Sequence, residues 1–151
     1  MANDFRIRVS GGEQLGRALD RLGQAVGGII LGQALRAAAE PIRDRARELA
    51  PRRTGFLAEH IVVVPDPERE NALLVGTTKK AFYGHMQEFG VQPHAIGKGS
   101  TLRSKGRRQT GRMHPGHAAH PFMRPAIDQC EDEAGRRFAE VLRRGIEEHS
   151  R

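Results

Sequence analysis

His114, His117 and His120 recur every third residue, with His94 upstream. Imidazole is the commonest protein ligand of transition metals, so the spacing first raises a metal centre. Pro115 and Pro121 break any helix that would turn the three rings onto one face, and no Cys, Asp or Glu lies among them to complete a shell. These histidines are therefore expected to be polar loop residues that gain a proton below neutral pH, and no metal is expected. Nucleophilic chemistry is equally ill served. Cys130 falls on the apolar stripe of a helical pattern, as a buried structural thiol does, and Ser10, Ser100, Ser104 and Ser150 have no nucleophile-elbow motif around them. His85 and Glu88 could be drawn as an acid and base pair, but a lone carboxylate there reads more simply as a capping or interface contact. Gly97–Thr101 spells Gly-Lys-Gly-Ser-Thr without the upstream glycine, strand and helix of a phosphate-binding loop. The expectation is a protein that is not an enzyme and holds no cofactor.

The one strong chemical signal is charge. The 151-residue chain has a formal net charge of +7. Between Val91 and Ala119 stand Lys98, Arg103, Lys105, Arg107, Arg108 and Arg112, with no acid among them, so the rest of the chain is close to neutral. Attraction to an anionic partner belongs to that segment and not to the body. A solvated charge run would need no partner, but it would not need to be free of acids either. Nucleic acid and acidic protein surfaces could both receive it, because phosphate attraction is independent of sequence and no aromatic residue interleaves the cations to stack on bases.

The elements that must carry this segment follow from periodicity. Phe5, Ile7 and Val9 alternate with Arg6 and Arg8, the grammar of a strand with one buried face. Leu15, Leu19, Leu22 and Val26 form one stripe of a short helix, which Gly27 and Gly28 interrupt. The helical pattern resumes with Leu31, Ala34, Leu35, Ala38, Ile42, Ala46 and Leu49, and Pro41 should kink it. Pro51 ends that helix, and Gly55 supplies a turn dihedral. Leu57–Val64 and Ala72–Thr77 read as a hairpin across Pro65–Asn71, and Ala81–Phe89 as a fourth strand. From Val91 to His120 glycine, proline and cations replace any apolar period, so a mobile loop is expected.

A last helix is expected from Arg124 to Glu148. Ile127, Cys130, Ala134, Phe138, Val141 and Gly145 share a face, and Asp132, Glu133 and Glu140 each precede an Arg by four residues. The expected fold is α+β: a small antiparallel sheet of about four strands, with a long kinked N-terminal helix and a C-terminal helix on one face. It forms a single domain over 1–151 with a flexible basic insertion at 91–120. A lone cysteine points to a reducing compartment, and neither a signal peptide nor a membrane span is expected.

Several short pieces in order add a resemblance. They are Ala46, Arg47, Glu48, Leu49, Ala50 and Pro51 with Thr54, Gly55 and Leu57; then Val75, Gly76 and Thr77; then Tyr83 with Glu88, Phe89 and Gly90; and finally Pro121, Phe122, Met123, Arg124, Pro125 and Ala126. From about Leu31 to its end the chain resembles the tail-completion or head-tail joining (neck) proteins of long-tailed bacteriophages. The long basic segment after Gly90 departs from that pattern.

The resemblance implies a structural virion protein, assembled in the host cytoplasm as a homo-oligomeric ring, commonly of six copies. Its implied partners are the head connector or adaptor and the tail tube or tail terminator, with genomic DNA in the channel as a further contact and no membrane. It also implies structural or interface roles for Pro51, Thr54, Gly55, Tyr83, Glu88, Phe89, Gly90, Pro121, Phe122 and Pro125. Read without the resemblance, the cations alone suit a nucleic-acid-binding domain that grips phosphates through residues 91–120.

Overall fold

The computed structural model describes residues 24–95 and 113–149. The expected strand Phe5–Val9, most of the expected first helix and all six cations from Lys98 to Arg112 lie outside them. The described residues form two compact units, residues 24–82 with 122–149 and residues 83–95 with 113–121.

The first unit is built on helix α1, Gln24–Leu49. Gly27 and Gly28 do not interrupt it, although a helix-interior glycine costs about 1 kcal/mol relative to alanine. Packing decides the outcome. Just beyond the glycines, Ile30 and Ala34 form a core cluster with Leu142, flanked by Val26, Phe138, Val141 and Ile146. The buried stripe is Ile30, Ala34, Ala39, Ile42, Ala46 and Ala50, a slight rotation from the expected one. The helix continues through Pro41 and ends at Leu49, where Ala50 N–H still donates to the Ala46 carbonyl (2.9 Å) just before Pro51.

The last helix of this unit, α4, spans Met123–His149. Ile30 meets Leu142 while Arg45 Nε donates to Gln129 Oε1 (2.7 Å), so α1 and α4 run antiparallel. Small residues let them approach closely. Ala34, Ala46 and Ala126 are fully buried, and a Cβ added at Gly145 would stand 2.5 Å from Ile30 Cγ2. Of the expected surface pairs on α4, Glu133 and Arg137 meet at 2.6 Å, whereas Arg136 Nε donates to the Asp132 backbone carbonyl (3.4 Å).

After Pro51 the expected strand start at Leu57 gives way to one helical turn, α2, Phe56–Glu59. Gly55 leads in with φ 75°, and Phe56 and His60, four residues apart, stack with ring centroids 4.0 Å apart. No residue from Leu57 to His60 is β-branched, and strand β1, Ile61–Pro65, begins where the β-branched run does. It pairs antiparallel with β2, Leu73–Thr77, in the register Ile61 with Thr77 through Pro65 with Leu73. Pro65 thus belongs to the strand and not to the turn. The hairpin loop is closed by Asp66, whose Oδ1 accepts from Glu68 N–H (2.9 Å), and by Asn71 at φ 55°.

Helix α1 packs on both strands. Arg47 pins the junction, donating from Nε (3.1 Å) and Nη2 (2.7 Å) to the carbonyl of fully buried Ile61. Replacing Arg47 with Leu should cost about 1–3 kcal/mol, the usual penalty for stranding a buried acceptor. Denaturant titration would show this as a lowered midpoint at unchanged slope.

The expected fourth strand, Ala81–Phe89, is instead a 3-10 turn, Lys79–Ala81, followed by helix α3, Gly84–Phe89. The buried positions Ala81, Gly84 and Glu88 recur at three and four, a helical period hidden by the aromatic residues between them. Among the described residues every sheet is therefore two-stranded, not four-stranded, and the fold is a mixed helix and sheet arrangement dominated by its two long helices.

The second unit holds α3 and a ribbon. Strand β3, His94–Ala95, pairs antiparallel with β4, Met113–His114, and a further bridge joins Val91 to His117. Both ends of the segment expected to be an open loop are thus paired. Main-chain bonds run from Val91 N–H to the His117 carbonyl and back, each 3.0 Å, and from His120 N–H to the Gln87 carbonyl (2.7 Å).

Candidate functional site

The six cations leave and re-enter the described chain at Ala95 and Met113, which are register partners. A seventeen-residue run therefore starts and finishes at one point, its two ends about 5 Å apart as in any antiparallel pair. The ribbon is a stem that holds the base of the basic segment.

Two glycines make that stem possible. Gly90 has φ 72° and ψ 177°, a region essentially closed to residues with a Cβ. An added Cβ there would lie 2.8 Å from Ala119 N and 2.9 Å from the His117 carbonyl oxygen. Gly116, at φ 73°, leaves no room either, because a Cβ would run into the Val91 carbonyl oxygen.

The histidines are structural parts of the stem. The rings of His94 and His114 stack across the two strands, centroids 5.0 Å apart at 19°. His94 Nδ1–H donates to the Gln92 carbonyl (3.0 Å), Gly116 N–H donates to His114 Nδ1 (3.0 Å), and His117 Nδ1–H donates to the Ala118 carbonyl (2.9 Å). Among the described residues no three His, Cys, Asp or Glu side chains converge as a metal site would need.

Cys130 is buried, and its Sγ donates to the Pro41 carbonyl at 3.6 Å. Burial pushes its thiol above the ordinary range, with Glu133 adding to the shift, so it is a packing residue and a poor nucleophile.

The other residues singled out in the sequence are divided between the units. In the second, Tyr83 is half-buried and its carbonyl accepts from Met86 and Gln87 N–H at the start of α3 (3.0 and 3.2 Å). Glu88 is only 6% exposed, the one charged side chain among the buried described residues, while neighbouring Phe89 is 56% exposed. In the first unit, Pro51 and Gly55 are half-buried and Thr54 is exposed. Phe122 is buried at the start of α4, and Pro125 sits in its first turn, where a missing N–H costs no helical bond. Pro121, the last residue of the second unit, is exposed.

Sequence reasoning missed the exposed apolar side chains Phe82 in the first unit and Met113 in the second, 64% and 63% exposed. It also missed Gly116 as a hinge of the stem. Its place between Pro115 and His117, just beyond the cations, was the available signal.

No described helix is long and apolar enough to cross a membrane. Comparison with known proteins gives one family: the HK97-gp10-like model, described as "Bacteriophage HK97-gp10, putative tail-component", matches residues 13–90. The match spans just over half of the chain and stops at Gly90, where the stem of the basic segment begins. No curated protein and no solved structure matches.

Proposed function

Since the chain belongs to the HK97-gp10-like family of bacteriophage tail components, we propose that this structural virion part works at the head-tail junction, as a ring joining the tail tube to the head connector. The observation that carries the finer reading is the stem. It holds at one point the two ends of an acid-free run whose sequence carries Lys98, Arg103, Lys105, Arg107, Arg108 and Arg112. A ring, with six copies favoured, would multiply that charge around one axis, facing either the DNA in the channel or an acidic surface of the adjoining ring. Nothing in this role calls for catalysis. Phe89 and Glu88, adjacent on α3 and opposite in burial, suit a contact residue and its support.

Two measurements test the reading. The purified chain should form closed rings in electron micrographs and accompany phage particles through sedimentation. Replacing all six cations with Ser should leave its circular dichroism unchanged and lower the joining of heads to tails by about tenfold or more, equivalent to ~1.4 kcal/mol. Joining at the parental rate, or a chain never found with particles, would overturn it.

The same cations favour one competing reading, a free-standing nucleic-acid-binding domain. That protein would stay monomeric or dimeric and bind duplex DNA with a logarithmic salt slope near −5, from about −0.9 per neutralised phosphate.

A further inference from the structure

The β1–β2 hairpin has two outer edges, and they are not equivalent. Thr78 N–H donates to the His60 carbonyl (2.9 Å) and Asp66 N–H to the Ala72 carbonyl (3.0 Å). These bonds fix the phase of the ladder. Even-numbered residues exchange the bonds between β1 and β2, and odd-numbered residues turn their backbone groups outward.

On β1 the outward row is interrupted at both ends. Ile61 C=O is held by Arg47, and Pro65 has no N–H to offer, which leaves only Val63 with both groups of an outward residue available. On β2 the outward groups of Leu73, Val75 and Thr77 form an uninterrupted row of three donors and three acceptors with no partner among the described residues. An open row of this kind is a template for another strand. Because the β1 row is interrupted at both ends, pairing β1 of one hairpin with β2 of the next would leave β2 groups unmatched, and the β2 edge is the better template.

We infer that the outer edge of β2 is a strand-addition site, and that its occupant is the segment Phe5–Val9 of a neighbouring copy. The inference rests on the ring assembly proposed above. Phe5, Ile7 and Val9 alternate with Arg6 and Arg8 in step with β2. Paired antiparallel as Phe5 with Thr77, Ile7 with Val75 and Val9 with Leu73, the segment satisfies all six backbone groups. It also sets its three apolar side chains on the face of β2 that carries buried Val75. Arg6 and Arg8 then fall on the opposite face, beside Gly76 and Leu74. Charge agrees, since the hairpin loop carries Asp66, Glu68 and Glu70 against a single Arg69. A head-to-tail exchange of this kind, unlike two-fold pairing of β2 with itself, can propagate around a ring.

The test uses the full chain carrying either R6C or G76C. In the proposed register these two positions form a non-hydrogen-bonded pair with Cα atoms about 4.5 Å apart, within disulfide reach. A Cβ at Gly76 meets nothing within 4 Å. Mixing the two variants under oxidation should yield a disulfide that joins different copies. In the unmodified chain, assembly should slow amide exchange at Leu73, Val75 and Thr77 by about 100-fold or more.

Rings that form without the mixed disulfide and without that protection would overturn the inference and leave the ring intact. In a chain carrying both R6C and G76C, a disulfide found only within single copies would overturn it by returning the segment to its own chain, and a dimer with the three amides protected would do so by pairing β2 with itself. Absence of any ring would remove the reading on which it rests.

Discussion

Replacing Phe122 with Ala should lower the stability of the first unit by about 3–5 kcal/mol, the range for deleting a buried aromatic ring from a packed core. Phe122 is 1% exposed and, with Ile61, is one of the two largest fully buried side chains among the described residues. It stands immediately before α4 and its carbonyl accepts from Ala126 N–H (3.3 Å), so the same residue closes the first turn of the helix and fills the core beneath it. Its neighbours Met123 and Ala126 are also buried. Small domains have only about 5–15 kcal/mol to lose, so the variant would be largely unfolded under mild denaturant. The control is Phe82→Ala. That ring is 64% exposed, and its removal should change stability by no more than about 0.5 kcal/mol. Equal denaturation midpoints for the two variants would show that Phe122 does not anchor α4.

The contrast between those two phenylalanines also marks how far the sequence was legible. Both long helices were readable because their apolar periods run for many turns and Pro51 ends one of them unambiguously. The β1–β2 hairpin was readable from its β-branched run and from the turn residues after Pro65. Short elements were not. Leu57–His60 and Ala81–Phe89 contain too few residues for a period to stand out, and their helical dihedrals are set by Gly55 and by burial of Ala81, Gly84 and Glu88.

Gly27 and Gly28 misled for the opposite reason. Local propensity argued for a break, and packing of Ile30 and Ala34 against α4 overrode it. The candidate site was legible in its charge and hidden in its support. Six cations without an acid are visible in the bare sequence, but pairing of Val91–Ala95 with Met113–His117 rests on only a few backbone bonds that no apolar pattern announces.

That dependence on few bonds makes Gly90 the most sensitive position of the stem. Gly90→Val should abolish the pairing of Val91 with His117 while leaving the first unit folded. The backbone at φ 72° and ψ 177° costs a residue with a Cβ on the order of 1–3 kcal/mol by itself. Steric overlap adds to that cost. The new Cβ would face Ala119 N at 2.8 Å, His117 O at 2.9 Å and Ala118 C at 3.2 Å, all backbone atoms that cannot rotate aside as a side chain could. The only relief is to move residues 117–119 away, which breaks the two 3.0 Å bonds between Val91 and His117.

Amide exchange at Val91 and His117 should therefore accelerate by at least about tenfold to 100-fold, at 1.4 kcal/mol per factor of ten. Protection along α1 and α4 should stay unchanged. Gly28→Ala supplies the opposite sign, because that glycine is exposed within a helix with nothing within 4 Å of its missing Cβ, and alanine there should stabilise by about 0.5–1 kcal/mol. If Gly90→Val left the exchange of Val91 and His117 as it was, the stem would not be the support of the basic segment. If it freed the stem and heads still joined tails at the parental rate, pairing the two ends of the basic segment would have no bearing on assembly.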